Sequence, residues 1–230
     1  MGRARAVRRA SASASRISLA ATQGLVGADV LLPQERELVE GAGAGRLAEF
    51  AAGRHCARVA LAALDQRHAG TPVLRDPRGA PRWPAGTVGS ITHCAGWTGA
   101  VVARSRGSRF GRGVTAIGLD AEPAGSAPAG VVEVVASVEE REALARLGAV
   151  QPGIPWHTLL FCAKEATYKA WYPLTGIVLS HADVQVGLSS TGRFTGEAAA
   201  HDPAGREVVH RVRGRWGIGP RVVVVLGVIP

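Results

Sequence analysis

Asp120 and Glu122, in the segment Gly118-Leu-Asp-Ala-Glu122, have types and spacing that suggest chemistry. In an extended segment side chains alternate between faces, so these carboxylates leave one face about 6 to 7 Å apart along the chain. Two carboxylates at a strand end, followed by Pro123, suit a divalent cation. Mg2+ is preferred, because it takes one or two carboxylates and completes its octahedron with phosphate oxygens and water. The plain alternative is a solvated strand end. A second group lies in Phe161-Cys-Ala-Lys164-Glu165-Ala-Thr-Tyr-Lys169-Ala-Trp171. On a helix Glu165 and Lys169 stand at i and i+4 and can pair. The apolar setting of Phe161, Ala163, Tyr168 and Trp171 predicts partly buried charges, which usually need a functional reason. A third group, Thr92-His93, follows a stretch carrying Arg75, Arg78 and Arg82, a combination suited to phosphate.

The elements that must hold these groups are legible in outline. Ser18 to Leu32 reads as extended, and Pro33 with acidic residues behind it opens a short helix. Arg46 to Leu64 is an amphipathic helix in its second half, where Ala57, Leu61 and Leu64 keep the helical period. Residues 75 to 89 read as an irregular Pro/Gly/Arg loop of the kind that binds ligands, leading into extended segments over Ser90 to Cys94 and Trp97 to Ala103. Arg104 to Gly113 is a basic turn, Thr115 to Glu122 a strand, and 124 to 130 a loop. Helices are expected over Ser137 to Leu147, where Ser137 and Glu140 have capping-box spacing, and over Trp156 to Trp171. Strands follow at Val184 to Leu188, Arg193 to Ala198, His210 to Val212 and Val222 to Val228.

Composition limits the function classes. A chain of 230 residues with 47% hydrophobic and 20% charged content, and a mean hydropathy of +0.11, buries a sizeable core and is not a disordered protein. No apolar run approaches the roughly 18 to 20 residues of a membrane helix. The net charge of +9 points to an anionic partner. Five arginines fall in the acid-free residues 1 to 16, which read as a disordered basic tail, so the body carries 9 − 5 = +4. Only two of the 27 cations are lysines, Lys164 and Lys169. Three widely spaced cysteines indicate neither a disulfide framework nor a zinc site, and a reducing cytoplasm is the simplest setting.

Arg78 to His93 (RGAPRWPAGTVGSITH), Ile117 to Glu122 (IGLDAE) and Phe161 to Trp171 (FCAKEATYKAW) together resemble the 4′-phosphopantetheinyl transferases, in order and in approximate spacing. The likeness is to the type found as component D of enterobactin synthase and in actinobacteria, and it extends over roughly residues 25 to 190. Thr92 stands where a Ser is often seen, and Leu119 with Ala121 replaces a more common pair of isoleucines. Neither change removes a functional group.

The resemblance implies an α+β fold of two similar halves with pseudo-twofold symmetry, divided into a tail (1–16), an N-terminal half (17–112) and a C-terminal half (113–230), with the active site between the halves. It implies transfer of the phosphopantetheine arm of coenzyme A to a serine of an apo carrier protein, Mg2+-dependent, releasing adenosine 3′,5′-bisphosphate. Asp120, Glu122 and Glu165 are implied as metal ligands, with Asp120, Glu165 and Lys169 catalytic and Glu165 the candidate base. His93, Lys164 and Lys169 are implied to contact phosphate oxygens, with Thr92 beside His93. Arg46, Arg54 and Arg75 are implied around the 3′-phosphate and adenine, with Arg58 and Arg78 near enough to substitute. The carrier is expected to be small and acidic, from fatty-acid, polyketide or nonribosomal-peptide synthesis, and the enzyme a cytoplasmic monomer with no nucleic-acid or membrane partner.

Two other readings stand beside this one. A basic nucleic-acid-binding protein would explain the charge and the Arg104 to Arg112 cluster, but it leaves the acidic pair and the Lys-Glu-x-x-x-Lys helix without purpose. A cysteine hydrolase using Cys94 or Cys162 has only the His93-Cys94 adjacency behind it.

Overall fold

The computed structural model describes residues 5–10, 17–107, 113–125 and 130–230, and its contacts divide the chain into two compact units, Met1–Ile117 and Gly118–Pro230. Both mix helices with β-sheet. In unit 1, β1 (Arg5–Ala10) pairs antiparallel with β2 (Ile17–Gln23), so the expectation of a disordered tail fails over 5–10; the edge of β2 not taken by the rest of the sheet offers backbone hydrogen bonds that an extended segment can complete. Residues 1–4 and 11–16 lie outside the described residues.

A 3-10 turn (Ala28–Val30) and α1 (Pro33–Glu37) lead into α2 (Ala44–Leu64). The buried stripe Cys56, Ala57, Ala60, Leu61 and Leu64 packs on Ala20, Ala100 and Val102 of the sheet. Residues 75 to 89 are more ordered than expected. β3 (Leu74–Arg75) and β4 (Pro81–Arg82) form a small hairpin, closed because the Asp76 carboxylate accepts from the Arg78 and Ala80 amides at 2.9 and 2.8 Å. β5 (Thr87–Cys94) then turns at Ala95 and Gly96 into β6 (Trp97–Arg104). The sheet order is β1-β2-β6-β5. The basic turn expected over 104 to 113 lies partly outside the described residues, as does the loop over 124 to 130.

Unit 2 takes up β7 (Ala116–Pro123) near its start and continues through α3 (Val131–Val135), α4 (Val138–Val150) and α5 (Trp156–Thr175). α4 begins with the expected capping box, since the Ser137 hydroxyl accepts from the Glu140 amide and Glu140 accepts from the Ser137 amide. The chain ends in a meander, β8 (Val184–Leu188), β9 (Arg193–His201), β10 (Glu207–Ile218) and β11 (Val222–Ile229), in the order β7-β11-β10-β9-β8. Each unit therefore runs strand, helix, then antiparallel strands, with the last strand returning beside its early one (β6 beside β2, β11 beside β7). Among the described residues no helix is long and apolar enough to cross a membrane.

Candidate active site

In unit 2 the site is built where β7 meets α5. Gly118, Asp120 and Glu122 share a face of β7 by the period of two. A Cβ on Gly118 would overlap the Ala166 carbonyl oxygen and stand 2.9 Å from the Ala170 amide nitrogen, so only glycine lets this face lie directly on the helix backbone. On α5, Cys162, Glu165 and Lys169 follow at i, i+3 and i+7, one stripe of the helix. The close approach sets Lys169 Nζ 2.6 Å from Asp120 Oδ1. Lys169 thus pairs with Asp120 across the strand–helix contact, rather than with Glu165 along the helix as its spacing suggested. The Cys162 thiol lies close enough to Asp120 to feel its charge.

The negative charge gathered here leaves its mark on the neighbours. Burial, with the charge of Asp120 and then Glu165 added and that of Lys169 opposing, pushes the Glu122 carboxyl up to about 7. Burial and Asp120 likewise raise Glu165, against Lys169 and His181. Burial first, then Asp120, holds the Cys162 thiol well above the usual thiol range, and burial lifts Cys56 to about 12. These protonated, enclosed thiols are no hydrolase nucleophiles, and Cys94 leaves β5 on the face opposite to His93.

Among the described residues no three His, Cys, Asp or Glu side chains already form a chelating group. The donor set nonetheless fits a divalent cation: the charge of Asp120 raises the proton affinity of both Glu122 and Glu165, and the cation standing on Asp120 is an ammonium.

Lys164 departs from its expected part. Its side chain is 1% exposed, and its ammonium meets the His181 carbonyl at 2.9 Å, the Val184 carbonyl at 2.7 Å and the Glu140 carboxylate at 2.9 Å. All three N–H donors are used inside unit 2, so the phosphate contact implied for Lys164 has no donor left to make it. Glu140, read from sequence only as a helix cap, also accepts from the Val186 amide and so ties α4, α5 and β8 together.

In unit 1 the implied CoA residues divide into groups. Arg54 is 5% exposed, lies 4.2 Å over the Phe50 ring, and keeps an Nε–H without a partner among the described residues. Burial lowers its pKa to about 10; Glu35 offsets this, while Arg75, Arg46 and Arg58 add to it. A desolvated guanidinium crowded by other guanidiniums is a place for an anion. Arg58 is not available for that work: its guanidinium is held by the buried Glu35 carboxylate and the Val30 carbonyl. Arg75 is exposed and donates to the Leu38 carbonyl at 2.8 Å, and Arg78 sits in the β3–β4 turn. Arg46 Nη1 and His93 Nδ1 each lie 3.9 Å from the Glu49 carboxylate on α2. His93 faces α2, whereas Thr92, buried, leaves β5 on the other face.

A group of carboxylates around the buried Asp120, beside a lysine, in one unit, and a crowd of arginines in the other, suit an enzyme that handles phosphate esters. The comparisons with known proteins agree. Residues 34–103 match the family described as the 4′-phosphopantetheinyl transferase N-terminal domain, and residues 116–218 match the 4′-phosphopantetheinyl transferase superfamily. The chain is 42% identical to the 4′-phosphopantetheinyl transferase Svp of Streptomyces mobaraensis, over 85% of this chain and 77% of the relative. It is 39% identical to PptT of Mycobacterium tuberculosis, over 81% of each. It is 34% identical to enterobactin synthase component D of Salmonella typhi, over 62% of this chain and 56% of the relative. The chain belongs to the 4′-phosphopantetheinyl transferases, and as such it transfers the phosphopantetheine group of coenzyme A to carrier proteins. The reading as a nucleic-acid-binding protein without catalysis falls with that finding.

Proposed function

We propose that Asp120, Glu122, Glu165 and Lys169 are the chemical centre of this transfer, with Mg2+ held by the three carboxylates. The observation that carries the proposal is the seating of β7 on α5 through Gly118, which brings these four side chains to one strand–helix contact in unit 2. When bound, Mg2+ supplies neutralisation of pyrophosphate charge. The remaining work belongs to side chains. Glu165, whose proton affinity is raised by burial and Asp120, takes the proton from the carrier serine. The serine oxygen bonds to the phosphorus carrying the pantetheine arm as that phosphorus loses its bond to the bridging oxygen. Lys169 offsets the charge moving onto the departing adenosine 3′,5′-bisphosphate.

In unit 1, Arg46, Arg54, Arg75, Arg78 and His93 are assigned to the phosphates and adenine of coenzyme A. Arg54 carries most weight, since a bound phosphate would relieve both its burial and its cationic neighbours. The common strand–helix–meander topology supports reading the units as variants of one design. The positive body suits a small acidic carrier of fatty-acid, polyketide or nonribosomal-peptide synthesis. Three free cysteines suit a cytoplasmic setting, and a monomer suffices for the assigned roles. Loading of an apo carrier across a Mg2+ titration tests the centre: Asp120→Ala and Glu122→Ala should lose Mg2+-dependent loading while keeping the melting transition. Near-normal loading by both would remove the metal assignment.

A further inference from the structure

We infer that Lys169 is the resident counter-ion of Asp120 and that a divalent cation must displace it, so that this lysine sets how tightly the site takes metal. The inference rests on the divalent-cation site proposed above and gives Lys169 a task before the chemistry begins. Its ammonium stands 2.6 Å from Asp120 Oδ1, and the Asp120 side chain is only 5% exposed. An ammonium at hydrogen-bond distance from that oxygen opposes a divalent ion on the same carboxylate, because the two positive charges would meet in a poorly solvated place. The lysine has somewhere to go. Its side chain is 29% exposed and ends a flexible four-carbon stem, so the ammonium can leave toward solvent or an arriving phosphate.

The composition points the same way. A chain with 25 arginines keeps a lysine at this position. A guanidinium would grip a carboxylate with two parallel N–H bonds, whereas a compact ammonium makes a point contact that a cation can break. The other lysine, Lys164, is fixed by two carbonyls and Glu140, so Lys169 is the lysine side chain open to reagents.

The test needs no turnover. Mn2+ binding to the whole chain is measured by calorimetry without coenzyme A for wild type and Lys169→Met, and acetylation of Lys169 in wild type is followed by peptide mass spectrometry across a Mg2+ titration. The expected result is Mn2+ bound roughly three- to tenfold more tightly by Lys169→Met, the scale of a partly buried ion pair removed from competition. Acetylation of Lys169 should rise with Mg2+ as the ammonium is released. Mn2+ bound equally by both proteins, with acetylation indifferent to Mg2+, would overturn the displacement and leave the metal site standing. Mn2+ bound by neither would overturn both.

Discussion

The Lys164 ammonium and the Glu140 carboxylate form a buried ion pair at 2.9 Å, and every remaining donor of that lysine goes to a backbone carbonyl. Removing one partner of such a pair strands the other charge. Lys164→Met should therefore cost about 3 to 5 kcal/mol and lower the melting temperature sharply, while the folded fraction keeps its KM for coenzyme A. An unchanged melting temperature with a raised KM would instead restore a phosphate contact for Lys164.

Gly118 supports the site by having no side chain. Gly118→Ala forces β7 away from the Ala166 carbonyl, and a loss of about 1 to 3 kcal/mol or more is expected, with kcat falling because Asp120 moves relative to α5. Denaturant unfolding together with kcat checks this. Stability within error of wild type would mean that the strand and helix do not meet as closely as described.

Glu122 gives the protein a pH dependence of predictable sign. Its carboxyl titrates near 7 in the folded chain against the ordinary 4.5, so between those values the folded state holds more protons than the unfolded one and stability falls as pH rises. Glu122→Gln removes the titration. In EDTA, the melting temperature of this variant relative to wild type should be higher at pH 8 than at pH 5. An equal difference at both values would refute the burial, with Asp120 beside it, that raises Glu122.

Arg54 should distinguish coenzyme A from its 3′-dephospho form. Arg54→Met is expected to raise KM roughly tenfold or more for coenzyme A, the scale of a lost charge-assisted hydrogen bond, and to change it little for dephospho-coenzyme A. Equal effects on both substrates would move Arg54 away from the 3′-phosphate.

What could be seen in the sequence and what could not divides along physical lines. The shared face of Asp120 and Glu122, the capping box at Ser137 and the long helices follow from local periodicity, and periodicity is written in the chain. Partners across elements are not. The i, i+4 spacing of Glu165 and Lys169 suggested a helical pair, yet the strand–helix contact offers Lys169 a nearer carboxylate in Asp120, 49 positions away. The resemblance implies a phosphate contact for Lys164, and nothing local in the sequence marks Glu140, whose spacing fits a cap, as its partner. Thr92 and His93 are neighbours in the chain, although adjacent strand residues face opposite ways. The β3–β4 hairpin reads as irregular in the sequence because strands of two residues carry no period, and Gly118 carries no signal there beyond being a glycine.

The most direct test of the chemical centre is the intact mass of an apo carrier protein incubated with coenzyme A, Mg2+ and either wild type or Glu165→Gln. With wild type the carrier should gain about 340 Da, the mass of a phosphopantetheine arm joined through phosphorus. With Glu165→Gln, folded to the same melting temperature, the mass should stay that of the apo form over the same interval. Loading by Glu165→Gln at the wild-type rate would contradict the assignment of base and metal ligands to the β7–α5 contact.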